Sequence, residues 1–308
     1  MPDPESVLDE SMSRRRVLAI GGGAVLVSLG AAGGMVELAR REVARRDAPP
    51  RAALATAAPT FTAAPARTAE DDEPWPPPAL GLSRDVPTQF VFNVDAGVPD
   101  DEERLMRESA RVAAEYYRQR TGYYLTNRPR IHLDLSRASG PLGEADGRNI
   151  TLLLGNRSWP RLTRVDKIAV VAHEVFHLMQ FTLGGGGSSP VLWLIEGAAE
   201  YASQMSVIEA GLRAKADFQE AAIRAVARSP QLPLAVAGRS PQATEYALGA
   251  LAADQLVGDK GVPALGDYYR RLADQSPLTA FEAAFGETRS AFETRFEAWR
   301  RQRGIAAT

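Results

Sequence analysis

The residues best suited to chemistry are Ala172-His173-Glu174-Val175-Phe176-His177 and, nineteen positions after the second histidine, Glu196-Gly197-Ala198-Ala199-Glu200. Two histidines four positions apart on a helix leave the same face, so both imidazoles can hold one ion. The chain has three histidines and no cysteine. Thiolate metal sites, iron–sulfur clusters, disulfides and cysteine nucleophiles are therefore excluded, and His, Asp and Glu remain as metal ligands. Glu196 on a second helix can complete a His173, His177, Glu196 set with the fourth position open to water, which is the pattern of a catalytic site and not of a closed structural one. Glu200, one turn further on, is placed to orient a ligating histidine from behind. The alternative assignment exchanges the roles of Glu196 and Glu200.

Two helices must meet for this to work. Residues 163–181 read as the first, with Ile168, Val170, Val171, Val175, Phe176 and Leu178 marking a helix buried on most sides. Residues 190–211 read as the second. The glycines at 184–187 let the chain reverse between them, and Gly197, Ala198 and Ala199 are expected to allow the two backbones to approach closely. Upstream, residues 89–95, 130–136 and 149–154 have strand patterns, and a helix opens at Pro99 and runs to Arg120. Residues 139–147 read as a turn. Further helices are expected over 213–227, 242–258, 263–273 and 288–303. Strands first and helices afterwards predict an α+β fold, a small N-terminal mixed sheet with a helical C-terminal lobe. The remaining histidine, His132, is expected on the exposed face of a strand.

The balance of 36 basic against 38 acidic residues gives no reason to expect nucleic acid as a partner. Residues 1–12 read as a polar cytoplasmic tail. Residues 13–38 read as a twin-arginine-like signal or membrane anchor, in which Arg14-Arg15-Arg16 leads into an uncharged run over 17–36 containing six glycines. Residues 39–83, rich in Pro and Ala, cannot build a core and read as a disordered linker. The folded domain is expected over 84–308. It is placed outside the cytoplasm, anchored in the cell membrane through residues 17–36 if these are uncleaved, or exported after signal cleavage.

HEVFH at 173–177 joined to WLIEGAAEY at 193–201 resembles the gluzincin metallopeptidases, the thermolysin-like clan, and more closely the bacterial peptidase MA-like domains. The resemblance extends more weakly over 84–308, including Phe281-Glu282-Ala283-Ala284-Phe285-Gly286 and a terminal helix with Phe292, Phe296 and Trp299. It implies a zincin-like domain whose sheet lobe lays an edge strand over the active-site helix. It also implies Zn2+ held by His173, His177 and Glu196, with Glu200 behind the ligands and a peptide or protein substrate. Glu174 would act as general base on a metal-activated water, and Tyr246, at the start of a helix, is the candidate oxyanion donor. Two other readings use the same residues: a catalytically silent binding or scaffold module, and a metal-dependent hydrolase of a non-peptide substrate. The retained Glu174 counts against the first, because a domain that only holds zinc has no use for a general base.

Overall fold

The computed structural model describes residues 80–184, 191–237 and 243–306. The tail, the arginine-led apolar run and the linker up to residue 79 lie outside the described residues. Among those described, no helix is long and apolar enough to cross a membrane.

The elements run β1 (Leu82–Ser83), β2 (Val91–Val94), α1 (Asp100–Thr121), β3 (Tyr124–Leu125), β4 (Arg130–Asp134), β5 (Gly143–Ala145), β6 (Asn149–Leu153), α2 (Arg164–Leu183), α3 (Leu192–Glu209), α4 (Lys215–Val226), α5 (Ala243–Val257), α6 (Val262–Arg271), α7 (Pro277–Phe285) and α8 (Arg289–Gln302). The main sheet has the order β2-β4-β6-β5, with β2, β4 and β6 parallel and β5 antiparallel on the edge. β1 and β3 form a separate antiparallel pair. The expected α+β arrangement, sheet first and helices after, is therefore the one observed.

Alternation along the strands sends one face inward. Ile131 pairs with Ile150 and Leu133 with Leu152, and all four are buried. His132, on the other face, is half-buried and bonds through Nε2 to Asp95 Oδ1 at 2.9 Å. Helix α1 covers the inner face with Met106, Ala110, Ala113 and Tyr117. The Tyr117 hydroxyl donates to the Ala172 carbonyl at 2.8 Å, which ties α1 to α2 beside His173. At the other end of the molecule, Tyr268, Phe281, Phe285, Phe292 and Phe296 pack ring on ring across α6, α7 and α8.

Three expectations need correction. Residues 139–147 are not only a turn, since Gly143–Ala145 forms β5. Leu-Gly-Glu-Ala has little strand propensity, and the element exists because β6 supplies its pairing partner. Residues 277–285 form α7, started by the Ser276 side chain accepting from the Thr279 amide. Gly197 serves a contact different from the one expected: it packs on Gly249 of α5, where an added Cβ would lie 2.3 Å from the Gly249 carbonyl carbon.

Candidate metal centre

Helix α2 begins with a complete capping box. The Thr163 side chain accepts from the Asp166 amide, and the Asp166 carboxylate accepts from the Thr163 amide at 3.1 Å. A firm start fixes the helix's rotation. From there, helical spacing puts His173, His177 and Gln180 on the face toward α3, and Glu174, about 100° round the helix, toward β5. On α3 the same spacing aligns Glu196, Glu200 and Gln204. His173, Glu174, His177, Glu196 and Glu200 are all buried.

His173 Nε2 and His177 Nε2 lie 3.0 Å apart, and Glu196 Oε2 is 3.4 Å from the first and 3.3 Å from the second. A tetrahedral ion with ligand bonds of about 2.0–2.1 Å has ligand–ligand edges of about 3.3–3.4 Å. The three donors therefore already stand close to three corners of such a tetrahedron. Glu196 Oε2 is buried with no hydrogen bond, and its polar neighbours are the two imidazole nitrogens. His173, His177 and Glu196 are the metal-competent cluster among the described residues.

The field at these groups favours positive charge. Burial opposes protonation of His173, yet the adjacent Glu196 and Glu200 carboxylates outweigh it and raise the imidazole to about 10. Burial likewise pushes the Glu196 carboxyl up, but the two imidazoles outweigh it and hold Glu196 at about 2. Metal ligands bind in their deprotonated form, so an ion entering here would displace that proton.

The structure brings Glu196, and not Glu200, to the two Nε2 atoms. Glu200 Oε2 faces the opposite nitrogen of the first ring, His173 Nδ1, at 3.2 Å. Its other oxygen accepts from Gln204 Nε2 at 3.0 Å. Gln204 in turn accepts from Arg213, whose Nη2 donates to Asp166 Oδ1 at 2.6 Å. This polar chain runs from the first histidine back to the capping box that starts its helix.

Glu174 has neither carboxylate oxygen hydrogen-bonded, and burial pushes its carboxyl up to about 7 against the pull of the two imidazoles. Its place is made by Gly143 on β5, where a Cβ would lie 2.6 Å from Glu174 Oε1. The edge strand thus lies over the HExxH helix. Tyr246, buried on α5, sets its ring edge-on to His173 with centroids 5.9 Å apart.

Sequence reasoning missed Gly143, Gly249, Gln180 and Tyr269. Gln180 bonds His177 Nδ1 through Oε1 at 2.7 Å. An amide three positions after a histidine, in a helix otherwise apolar there, was a usable signal. Gly143 and Gly249 matter only through what packs against them, and nothing in the local sequence marks that.

No protein-family model matches the sequence, and no curated protein matches it. Its structure is similar to those of M1 zinc metallopeptidases. The enzyme from Deinococcus radiodurans has 20% sequence identity and a TM-score of 0.46, over 75% of this chain and 53% of that one. A mutant of the same enzyme, bound to a Tyr-Ser-Ala substrate, has 18% identity and a TM-score of 0.47 over 74% and 52%. A two-domain M1 zinc metallopeptidase mutant bound to L-arginine has 17% identity and a TM-score of 0.46 over the same shares. The chain spans about half the length of these structures.

Proposed function

We propose that the chain is a zinc-dependent metallopeptidase, with His173, His177 and Glu196 holding the ion and Glu174 acting as general base. The observation that supports it most is the triangle of His173 Nε2, His177 Nε2 and Glu196 Oε2, its edges matched to a tetrahedral ion, beside a buried carboxylate that has no hydrogen bond. Zinc bound there would supply Lewis acidity and lower the pKa of a water in its open position to about 7.

The protein's own groups do the rest. Glu174, raised toward neutrality by burial and drawn down again by a nearby dication, would be ionised at neutral pH. It takes the proton of the attacking water and passes it to the leaving amine. Gly143 leaves the space in which the carboxylate can do so. Glu200 keeps the hydrogen of His173 on Nδ1, so that Nε2 presents its lone pair. Tyr246, against His173, is the candidate donor to the developing oxyanion.

Two substitutions in the full chain test the assignment. Glu174→Gln should bind about one zinc per chain and lose peptide hydrolysis by a factor of about 100 or more. Glu196→Ala should lose the zinc. Hydrolysis of a peptide by Glu174→Gln at the parent's rate would overturn the role given to Glu174.

A further inference from the structure

Each ligating histidine must present Nε2 without a hydrogen, and each has a different partner at Nδ1. For His173 it is the Glu200 carboxylate, already described. For His177 it is a neutral amide. The Gln180 side chain is buried and makes three contacts: Oε1 to His177 Nδ1 at 2.7 Å, Nε2 to the Ile195 carbonyl at 2.9 Å and Nε2 to the Tyr269 hydroxyl at 2.8 Å. Tyr269, buried on α6, donates its own hydrogen to the Leu194 carbonyl at 3.1 Å.

These contacts leave one consistent set of hydrogens. Backbone carbonyls only accept, so Tyr269 must donate to Leu194, and the amide nitrogen of Gln180 must face Ile195. Turning the amide over would set Oε1 against the Ile195 oxygen, acceptor to acceptor. Oε1 therefore faces His177, and since it too only accepts, the hydrogen of that ring is on Nδ1. With its hydrogen on Nδ1, the ring turns Nε2 toward His173 Nε2 and Glu196 Oε2.

We propose that Gln180 is a positioning residue for the metal site: it fixes the tautomer of His177 and ties that ring to the turn of α3 that carries Glu196, with Tyr269 as its anchor. The assignment rests on the ion site proposed above. Ile195 directly precedes Glu196, so the same amide registers a ligand on α2 against a ligand on α3. Its neutrality also matters. Glu174, Glu196 and Glu200 are buried there already, and a fourth carboxylate would raise the cost of burying like charge, whereas an amide orients the ring without adding any.

The test measures zinc affinity of the full chain by competition with a chromophoric chelator, and unfolding by denaturant with the metal removed. Gln180→Met keeps the side chain's length and removes all three contacts. Tyr269→Phe removes only the anchor. Zinc binding by Gln180→Met should weaken about 10–100-fold. Tyr269→Phe should fall between parent and Gln180→Met.

If the parent binds one zinc and Gln180→Met binds it equally well while losing metal-free stability, Gln180 is only a packing residue and the proposal is wrong, with the ion site intact. If Gln180→Met does not fold, Tyr269→Phe decides: parent-like zinc affinity there overturns the proposal. A parent chain that binds no zinc overturns the ion site and this assignment together.

Discussion

A single methyl group at Gly197 is expected to displace the third ligand relative to the two imidazoles. In Gly197→Ala the new Cβ would lie 2.3 Å from the Gly249 carbonyl carbon, 2.5 Å from its oxygen and 2.6 Å from its Cα. Carbon atoms are comfortable at about 3.5 Å and beyond, so α3 and α5 must part by about 1 Å. All the obstructing atoms are backbone, and no side-chain rotation relieves them. Overpacking of this kind costs about 1–3 kcal/mol, and replacing glycine by alanine inside a helix returns about 1 kcal/mol. The net effect on folding is therefore small, a loss of about 0–2 kcal/mol.

The effect on the ion should be larger. Glu196 is the next residue along α3, and metal–ligand distances tolerate only about 0.2 Å of error. A shift several times that should weaken zinc binding at least about tenfold, the lower end of what a misplaced supporting residue costs. Zinc competition with a chelator, together with urea unfolding of the metal-free chain, separates the two effects. Gly81→Ala is the control, because its Cβ would meet only the Thr126 and Asn127 side chains, the nearer at 2.7 Å, beside the β1–β3 pair. If Gly197→Ala loses stability but binds zinc as tightly as the parent, the α3–α5 contact does not set the position of Glu196.

On the other side of the site, Gly143→Ala would set a Cβ 2.6 Å from Glu174 Oε1; zinc content should stay unchanged while hydrolysis falls about 100-fold, the cost of about 1 Å of misplacement, as measured by metal analysis beside a peptide assay. Burial raises the Asp134 carboxyl, but the Ser136 hydroxyl and amide and the Arg137 guanidinium outweigh it and hold it below its ordinary range. A carboxyl lowered on folding stabilises the fold above its unfolded value, and that contribution disappears as pH falls through the folded value. Asp134→Asn should therefore be less stable than the parent near neutrality, with the gap closing below about pH 4 in denaturant titrations. Finally, replacing Arg14 and Arg15 with lysine is expected to stop export, and unchanged export in a fractionation assay would dismiss the twin-arginine assignment.

Periodicity and motif spacing are local properties, and they made most of this chain legible. Four-residue spacing puts His173 with His177 on one face and Glu196 with Glu200 on another, whatever the rest of the chain does. The absence of cysteine left those imidazoles and carboxylates as the metal donors. The same kind of reasoning located the main strands and most of the helices, because an apolar repeat of two or of 3.6 survives in any packing. It could not find β5, whose few residues become a strand only by hydrogen-bonding to β6.

Which glutamate meets the ring nitrogens depends on the rotation of α3 against α2, and spacing within one helix says nothing about that. Helix packing decided it, and brought Glu196 to the two Nε2 atoms and Glu200 to Nδ1 of His173. Contacts between remote residues are equally invisible in one dimension. Gly197 against Gly249, Gly143 beneath Glu174, and Gln180 between His177, Ile195 and Tyr269 each depend on distances between backbones that only the folded core sets. Local sequence thus chose the reactive groups, and close packing of separate helices and an edge strand gave them their relative positions.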